Sequence, residues 1–210
     1  MRLRRYVSFV LLFFTVVIAD AWLFHSLYES TMRKTEDVWE AVWQDAVYFP
    51  VPESSYDTRG FGVTFSDSWM DRRSFGGERG HEGCDIMADV NERGHYPIVS
   101  ISDGVVEKLG WLKLGGYRIG IRSPRGVYFY YAHLNDYAPG IEIGDEVSAG
   151  ELLGFMGDTG YSEQEGTTGY FPVHLHVGIY FNDEDGKEQS YNPYPFMKKL
   201  ESEKLKFCFE

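Results

Sequence analysis

Hydrophobic and polar positions divide the chain into three stretches. The first is apolar. Tyr6–Phe24 is nineteen residues with a single charge, Asp20, and it follows the basic Met1-Arg-Leu-Arg-Arg5. A run of that length suits a helix that crosses a bilayer. The basic flank should then stay in the cytoplasm and the rest of the chain should lie outside. A cleaved signal peptide is the alternative: the uncharged core Tyr6–Ala19 is short, and Ala19-Asp20-Ala21 resembles a cleavage site. The apolar character resumes at Trp22-Leu23-Phe24, which favours an uncleaved anchor over residues 1–24. Removal of residues 1–21 would instead give a secreted protein.

The second stretch, residues 25–55, reads as a helical stalk or linker. Trp39, Val42, Trp43 and Ala46 recur at helical spacing and form one apolar stripe within a helix over 29–48. Pro50 and Pro52 end it. The stripe suits a protein partner or the chain's own domain equally well.

Beyond residue 55 the period shortens. Runs rich in β-branched and aromatic residues predict strands over 61–65, 85–87, 98–101, 104–109, 117–121, 127–133, 151–155 and 174–181. Ser123-Pro124-Arg125-Gly126 suits a type I turn joining 117–122 to 127–133. Ser102-Asp103-Gly104 reads as another tight turn. The expectation is an all-β, compact antiparallel domain over 56–197, sheet-like or barrel-like, with a short helix near 194–205 and a tail over 198–210.

Charge narrows the partners. The chain carries −12 overall; Arg2, Arg4 and Arg5 against Asp20 give residues 1–24 a net +2, leaving −14 for the remainder. A body this acidic excludes nucleic acid as the expected ligand, which needs a basic surface. Two cysteines, Cys84 and Cys208, make no disulfide framework. Cys84 lies inside a histidine motif but reads better as a small buried residue than as a thiolate ligand. Its pairing with Cys208 stays open.

The candidate chemistry lies in three short motifs. His81-Glu82-Gly83-Cys84-Asp85 supplies an imidazole and a carboxylate, with Gly83 allowing a sharp bend. His174-Leu175-His176 on a strand projects both imidazoles to one face. That pair suits one metal ligand and one neighbouring acid or base. Alone it would read as a polar strand face. His133 ends the apolar strand Tyr128–Ala132, where an isolated histidine would read as a core residue. Together the motifs describe a zinc site with three protein ligands and an open fourth position, the arrangement of a hydrolase. His25 and His95 have no such company and read as surface residues.

The motifs fall in a familiar order. His81-x-Gly83-x-Asp85-Ile86, Asp103-Gly104-Val105-Val106, Tyr131-Ala132-His133-Leu134, Gly144-Asp145-x-Val147-x-x-Gly150-x-x-x-Gly154 and His174-Leu175-His176 resemble the lysostaphin-type zinc endopeptidases of bacterial cell walls. The resemblance covers roughly residues 58–197. It implies a compact antiparallel β domain with an open groove, and one zinc ion held by His81, Asp85 and His176. It implies His133 and His174 as the catalytic pair, and peptide bonds of peptidoglycan stems or cross-bridges as substrate. Which histidine takes and which gives the proton stays open.

Two departures stand out: a long loop over 161–171 ahead of the His-x-His motif, and Gly178 where the family often has an acidic residue. Two rival readings compete with this one. A non-catalytic relative would bind peptidoglycan or a partner as an envelope regulator, but such relatives often lose a ligand, and none is lost here. A biotinyl or lipoyl carrier is suggested by Gly144–Gly154, but the following Phe155-Met156-Gly157-Asp158-Thr159-Gly160 lacks the lysine a carrier needs.

Overall fold

The structure, a computed structural model, describes residues 2–54, 59–183 and 185–207. It separates into two compact units, Met1–Glu40 and Ala41–Glu210.

The N-terminal stretch forms one helix, α1 (Arg2–Asp45), with no break between the expected anchor and the expected stalk. The reason is compositional: residues 2–45 contain neither glycine nor proline, so nothing interrupts helix propagation. The helix stops three residues short of the expected end. The freed Val47 and Tyr48 N–H groups donate instead to the Ile101 carbonyl at 2.8 and 3.2 Å. Among the described residues, no helix is long and apolar enough to cross a membrane. Much of the expected span falls outside that description, since residues 1–14 have no described side chains. Val42 of the apolar stripe is fully buried in the body, and Trp43 packs on Phe196 with ring centroids 4.3 Å apart. These two positions are covered by the chain's own domain.

The body is a mostly antiparallel β domain, as its alternating pattern predicts. Its main sheet has ten strands: β1 (Val63–Phe65), β2 (Cys84–Ala88), β3 (Pro97–Val99), β4 (Gly104–Leu112), β5 (Gly116–Arg122), β6 (Tyr128–Tyr137), β7 (Glu146–Val147), β8 (Leu152–Met156), β9 (His174–Asn182) and β10 (Glu188–Tyr191). The strands run in the order β7-β4-β5-β6-β9-β2-β1, with β8 joined to β3 and β6, and β10 to β9. This path has two free ends, so the sheet is branched and open rather than a closed barrel. The expected β5–β6 hairpin is present: the Gly126 N–H donates to the Ser123 carbonyl at 2.9 Å, and Ser123 N–H to the Val127 carbonyl at 2.8 Å. Ile119, Ile121, Phe129, Tyr131, Leu175, Val177 and Ile179 are buried on one face of the central strands. The intervening positions face the groove.

Helix α2 (Tyr194–Leu200) closes the body through buried Phe196, Met197 and Leu200, and is shorter than the stretch 194–205 suggests. Glu53–Ser54 pairs in parallel with Lys206–Phe207, so the chain after Leu200 is drawn into a strand. Cys208 lies outside the described residues, and so does any pairing with Cys84. A small hairpin, Arg72–Arg73 with Arg79–Gly80, stands apart from the main sheet and was not anticipated from the sequence.

Candidate active site

Strand register assembles the first part of the site. His176 on β9 is the cross-strand partner of Asp85 on β2, and His174 pairs with Met87. Directly opposed residues share a face. Asp85, His176 and, two residues away, His174 therefore project together, while Leu175 and Val177 enter the core. The His174 ring is fixed by its Nδ1, 2.8 Å from the Pro172 carbonyl. A protonated Nδ1 donating there leaves the Nε2 lone pair facing the site.

His81 arrives from the loop before β2. Its Nδ1 lies 3.0 Å from the Ser68 carbonyl and 3.1 Å from the Ser68 hydroxyl. Donation to the carbonyl turns the Nε2 lone pair inward, to 3.0 Å from both Asp85 Oδ1 and His176 Nδ1. His176 Nδ1 is itself 3.0 Å from Asp85 Oδ1. Gly83 allows this approach. A Cβ added there would overlap the His176 ring and lie 2.8 Å from the Val177 carbonyl.

His133 is the residue that strand periodicity misplaces. Phe129 and Tyr131 face the core, so regular alternation sends position 133 the same way. The backbone instead takes φ +63° at His133, a left-handed conformation uncommon outside glycine. The cause lies in the sheet. On one edge β6 pairs with β9 as far as Ala132, then with β8 from Leu134 onward. His133 sits at the handover, and its N–H donates to the Gly115 carbonyl at 2.8 Å. This bulge puts Ala132 and His133 both on the groove, the re-aiming that bulges commonly provide near active sites. Nδ1 of His133 lies 2.7 Å from the Thr159 carbonyl, which again leaves Nε2 free. The His133 and His174 rings are 4.7 Å apart.

Electrostatics fit the geometry. Burial, aided by the neighbouring His174 and His176, holds the His133 pKa well below the usual imidazole value. Burial likewise lowers that of His176, against the opposing pull of Asp85. Burial works against ionisation of Asp85, but its hydrogen bonds with His176 and His81 outweigh this and keep the carboxyl well below its ordinary range. Burial pushes the Cys84 thiol up to about 12, and Cys84 is 1% exposed. It is buried, the placement the sequence favours.

The groove has a volume of about 740 Å³. One wall was illegible in the sequence. Phe75, from the 72–80 hairpin, stacks on Tyr161 at 4.3 Å and 6°. Tyr161 and Phe171, from the long loop, meet each other at 4.8 Å and His133 at 6.1 and 4.6 Å. The same hairpin brings Arg73, whose Nη2 donates to Asp85 Oδ2 at 3.3 Å. Of the two other histidines, His25 is exposed, as expected. His95 is half-buried rather than an ordinary surface residue. It accepts from Arg59 at Nδ1 and donates from Nε2 to the Gly60 carbonyl, both at 3.0 Å.

His81, Asp85 and His176 fit a zinc ion. Each offers one ligand atom, all within 4.8 Å of one another. Their separations near 3.0 Å compare with about 3.3 Å for the edge of a tetrahedron with bonds of about 2.0 Å. The Ser68 carbonyl behind His81 and the Arg73 guanidinium behind Asp85 are the outer contacts such a site uses to orient its ligands.

The sequence profile of peptidase family M23 matches residues 79–193, more than half of the chain and inclusive of all five residues above. The L-Ala–D-Glu endopeptidase of Bacillus subtilis (strain 168) is 45% identical over 140 residues, covering 66% of this chain and 40% of the relative. Glycyl-glycine endopeptidase ALE-1 of Staphylococcus capitis is 32% identical over 120 residues, covering 56% of this chain and 29% of the relative. The chain thus spans less than half the length of these curated relatives. Among solved structures, a protein from Ruminococcus gnavus ATCC 29149, described as a glycyl-glycine endopeptidase lytM, superposes with a TM-score of 0.74 at 55% identity. That alignment covers 81% of this chain and 66% of the other.

Proposed function

The chain belongs to peptidase family M23, and from that premise we propose that it is a zinc-dependent endopeptidase cleaving peptide bonds in peptidoglycan. The observation that carries this reading is the convergence of three ligand atoms on the groove beside two tautomer-fixed imidazoles. His81 Nε2, Asp85 Oδ1 and His176 Nδ1 would hold the ion. Bound there, zinc supplies Lewis-acid polarisation of the scissile carbonyl and acidifies water.

The remaining work falls to the protein. His133 and His174 each direct an Nε2 lone pair into the groove and anchor the other nitrogen on a carbonyl. Neither ring can turn without losing that hydrogen bond. A neutral imidazole so placed accepts a proton as water attacks and returns it to the leaving amine. In its protonated form it donates a hydrogen bond to the developing oxyanion. Burial keeps His133 neutral and ready to accept. Tyr161 lines the groove, with Phe75 and Phe171 packed against it, and this aromatic side restricts water around the bond.

The apolar run Tyr6–Phe24 behind Arg2, Arg4 and Arg5 supports a membrane anchor with the body outside the cytoplasm, where peptidoglycan lies. The test is release of soluble peptide from purified cell walls by the full chain in detergent. Hydrolysis should require zinc, stop with a chelator, return on zinc addition and be absent in His176→Ala. Hydrolysis that survives both chelator and substitution overturns the zinc mechanism. No hydrolysis of several wall chemotypes by zinc-loaded protein overturns the enzyme and favours a wall-binding relative.

A further inference from the structure

Two arginines in the groove have buried N–H groups without a partner among the described residues. The groove carries five basic side chains, Arg73, Arg79, Lys108, Lys113 and Arg118, in a chain of net charge −12. Three of them have carboxylate partners: Arg73 with Asp85 at 3.3 Å, Lys108 with Glu188 at 3.5 Å and Lys113 with Glu163 at 2.7 Å. Arg118 and Arg79 have none among the described residues. The Nε and Nη1 of Arg118 are buried without a hydrogen-bond partner, and so is the Nε of Arg79. A guanidinium does not escape this by losing its proton, because its pKa is above about 12. Buried N–H donors are nearly always paired in native proteins, so an orphaned set calls for an explanation.

Position supplies one. Arg118 lies on β5, on the same face as the site. Ile119 and Ile121 alternate with it into the core. Its charge is felt by the Tyr128 and Tyr130 hydroxyls on β6. The strands β2, β9, β6 and β5 are consecutive neighbours. They carry Asp85, His176, His133 and Arg118 in that order, so the arginine extends the row that holds the catalytic candidates. Arg118 is two strand spacings from His176, about 10 Å, which matches about three residues of extended peptide.

We propose that Arg118, assisted by Arg79 of the 72–80 hairpin, forms a carboxylate-reading subsite that selects peptides with a free carboxylate within about three residues of the scissile bond. A carboxylate suits an unpaired guanidinium because it accepts two parallel N–H bonds from it; Arg118 must turn towards the groove to offer both, since its Nε and Nη1 are closed to solvent as they stand. The inference rests on the endopeptidase reading and sharpens it. It favours acidic stem peptide over a neutral glycine cross-bridge, the two bond types named in the relatives above.

The test uses two synthetic stem peptides. They are identical except that one has a free glutamyl α-carboxylate beside the scissile bond and the other its carboxamide. Zinc-loaded full chain should cleave the carboxylate peptide with a kcat/KM about 10- to 100-fold higher, the range for a hydrogen bond to a charged group. That ratio should fall towards one in Arg118→Gln and take an intermediate value in Arg118→Lys, which keeps the charge but loses the fork. A ratio in Arg118→Gln equal to that of wild type, or a wild type with no preference, overturns the subsite. Should Arg118→Gln fail to fold by thermal melting, the wild-type preference and its reduction in Arg79→Gln decide the matter. Should wild type cleave neither peptide, hydrolysis of the cell-wall chemotypes decides whether the endopeptidase reading falls. Calorimetric binding of the two intact peptides then tests the subsite alone: carboxylate-selective binding that Arg118→Gln abolishes supports it, and equal binding overturns it.

Discussion

Gly83→Ala is the sharpest test of how the ligand triad is built. The glycine lies between His81 and Asp85 and is itself buried against β9. A Cβ there would overlap Cε1 of the His176 ring and meet the Val177 carbonyl at 2.8 Å. The ring cannot simply step aside, because its Nδ1 is shared with Asp85 and His81 at 3.0 Å each. Nor can the carbonyl, because Val177 is locked in register with Cys84 and Tyr131. Overpacking of this kind destabilises by about 1–3 kcal/mol. Disturbing even the outer contacts of metal ligands lowers affinity by about 10- to 100-fold, or about 1.4–2.8 kcal/mol, and a displaced ligand should cost at least as much. Competition with a chromophoric chelator reads the affinity, and melting with and without zinc reads the stability. Gly83→Ala should bind zinc more weakly and gain less in Tm on zinc addition. Zinc affinity within about twofold of wild type, with an unchanged melt, would refute the argument that this glycine exists to admit the His176 ring.

Three further outcomes follow from separate contacts. His133→Ala should retain zinc binding while kcat falls by about 10²–10⁴-fold, the usual loss for a general acid or base; parallel metal and rate measurements check it. Asp45→Ala should destabilise the body by about 1–3 kcal/mol in urea unfolding. The carboxylate is 2% exposed and accepts from the Arg125 N–H at 2.9 Å and Nη1 at 2.6 Å, but Arg125, 49% exposed, can return to water. The hydrogen bonds from Arg122 hold the Glu107 carboxyl below its usual range despite opposing burial. That stabilisation is complete above the ordinary carboxyl pKa of about 4.3 and is lost as pH falls through the lower folded value. The stability gap between wild type and Glu107→Gln should therefore be flat near neutrality and close on acidification, as measured by urea unfolding across pH.

Much of the site is legible in the sequence because its logic is local. A two-residue period places His174 and His176 on one face whatever the surroundings. The β5–β6 hairpin follows from a proline and a glycine in one turn. The rest depends on long-range pairing. Nothing near residue 133 signals that β6 changes neighbours after Ala132, so its left-handed backbone and its turn towards the groove are visible only in the assembled sheet. The 72–80 hairpin has strands of two residues each, too short to show a period, yet it delivers Arg73 and Arg79 to the groove and Phe75 to the back of Tyr161. Arg118 looks like any polar position on an alternating strand, and what marks it out is the absence of a partner. The boundary expected near residue 25 has no backbone counterpart because hydropathy changes there while helix propensity does not.

The handover at His133 also bears on how the protein breathes. Four of the five residues at the centre of the site, Asp85, His133, His174 and His176, lie on β2, β6 and β9, interior strands with a neighbour on each side. Amide exchange at these positions should proceed only through global opening, whereas the two-residue strands of the 72–80 hairpin and the loop over 161–171 should exchange through small local excursions. The candidate catalytic groups on these strands and the segments that border the groove then belong to different cooperative units. Sequence change in the framing segments can alter which peptide enters while the chemical centre keeps its full protection.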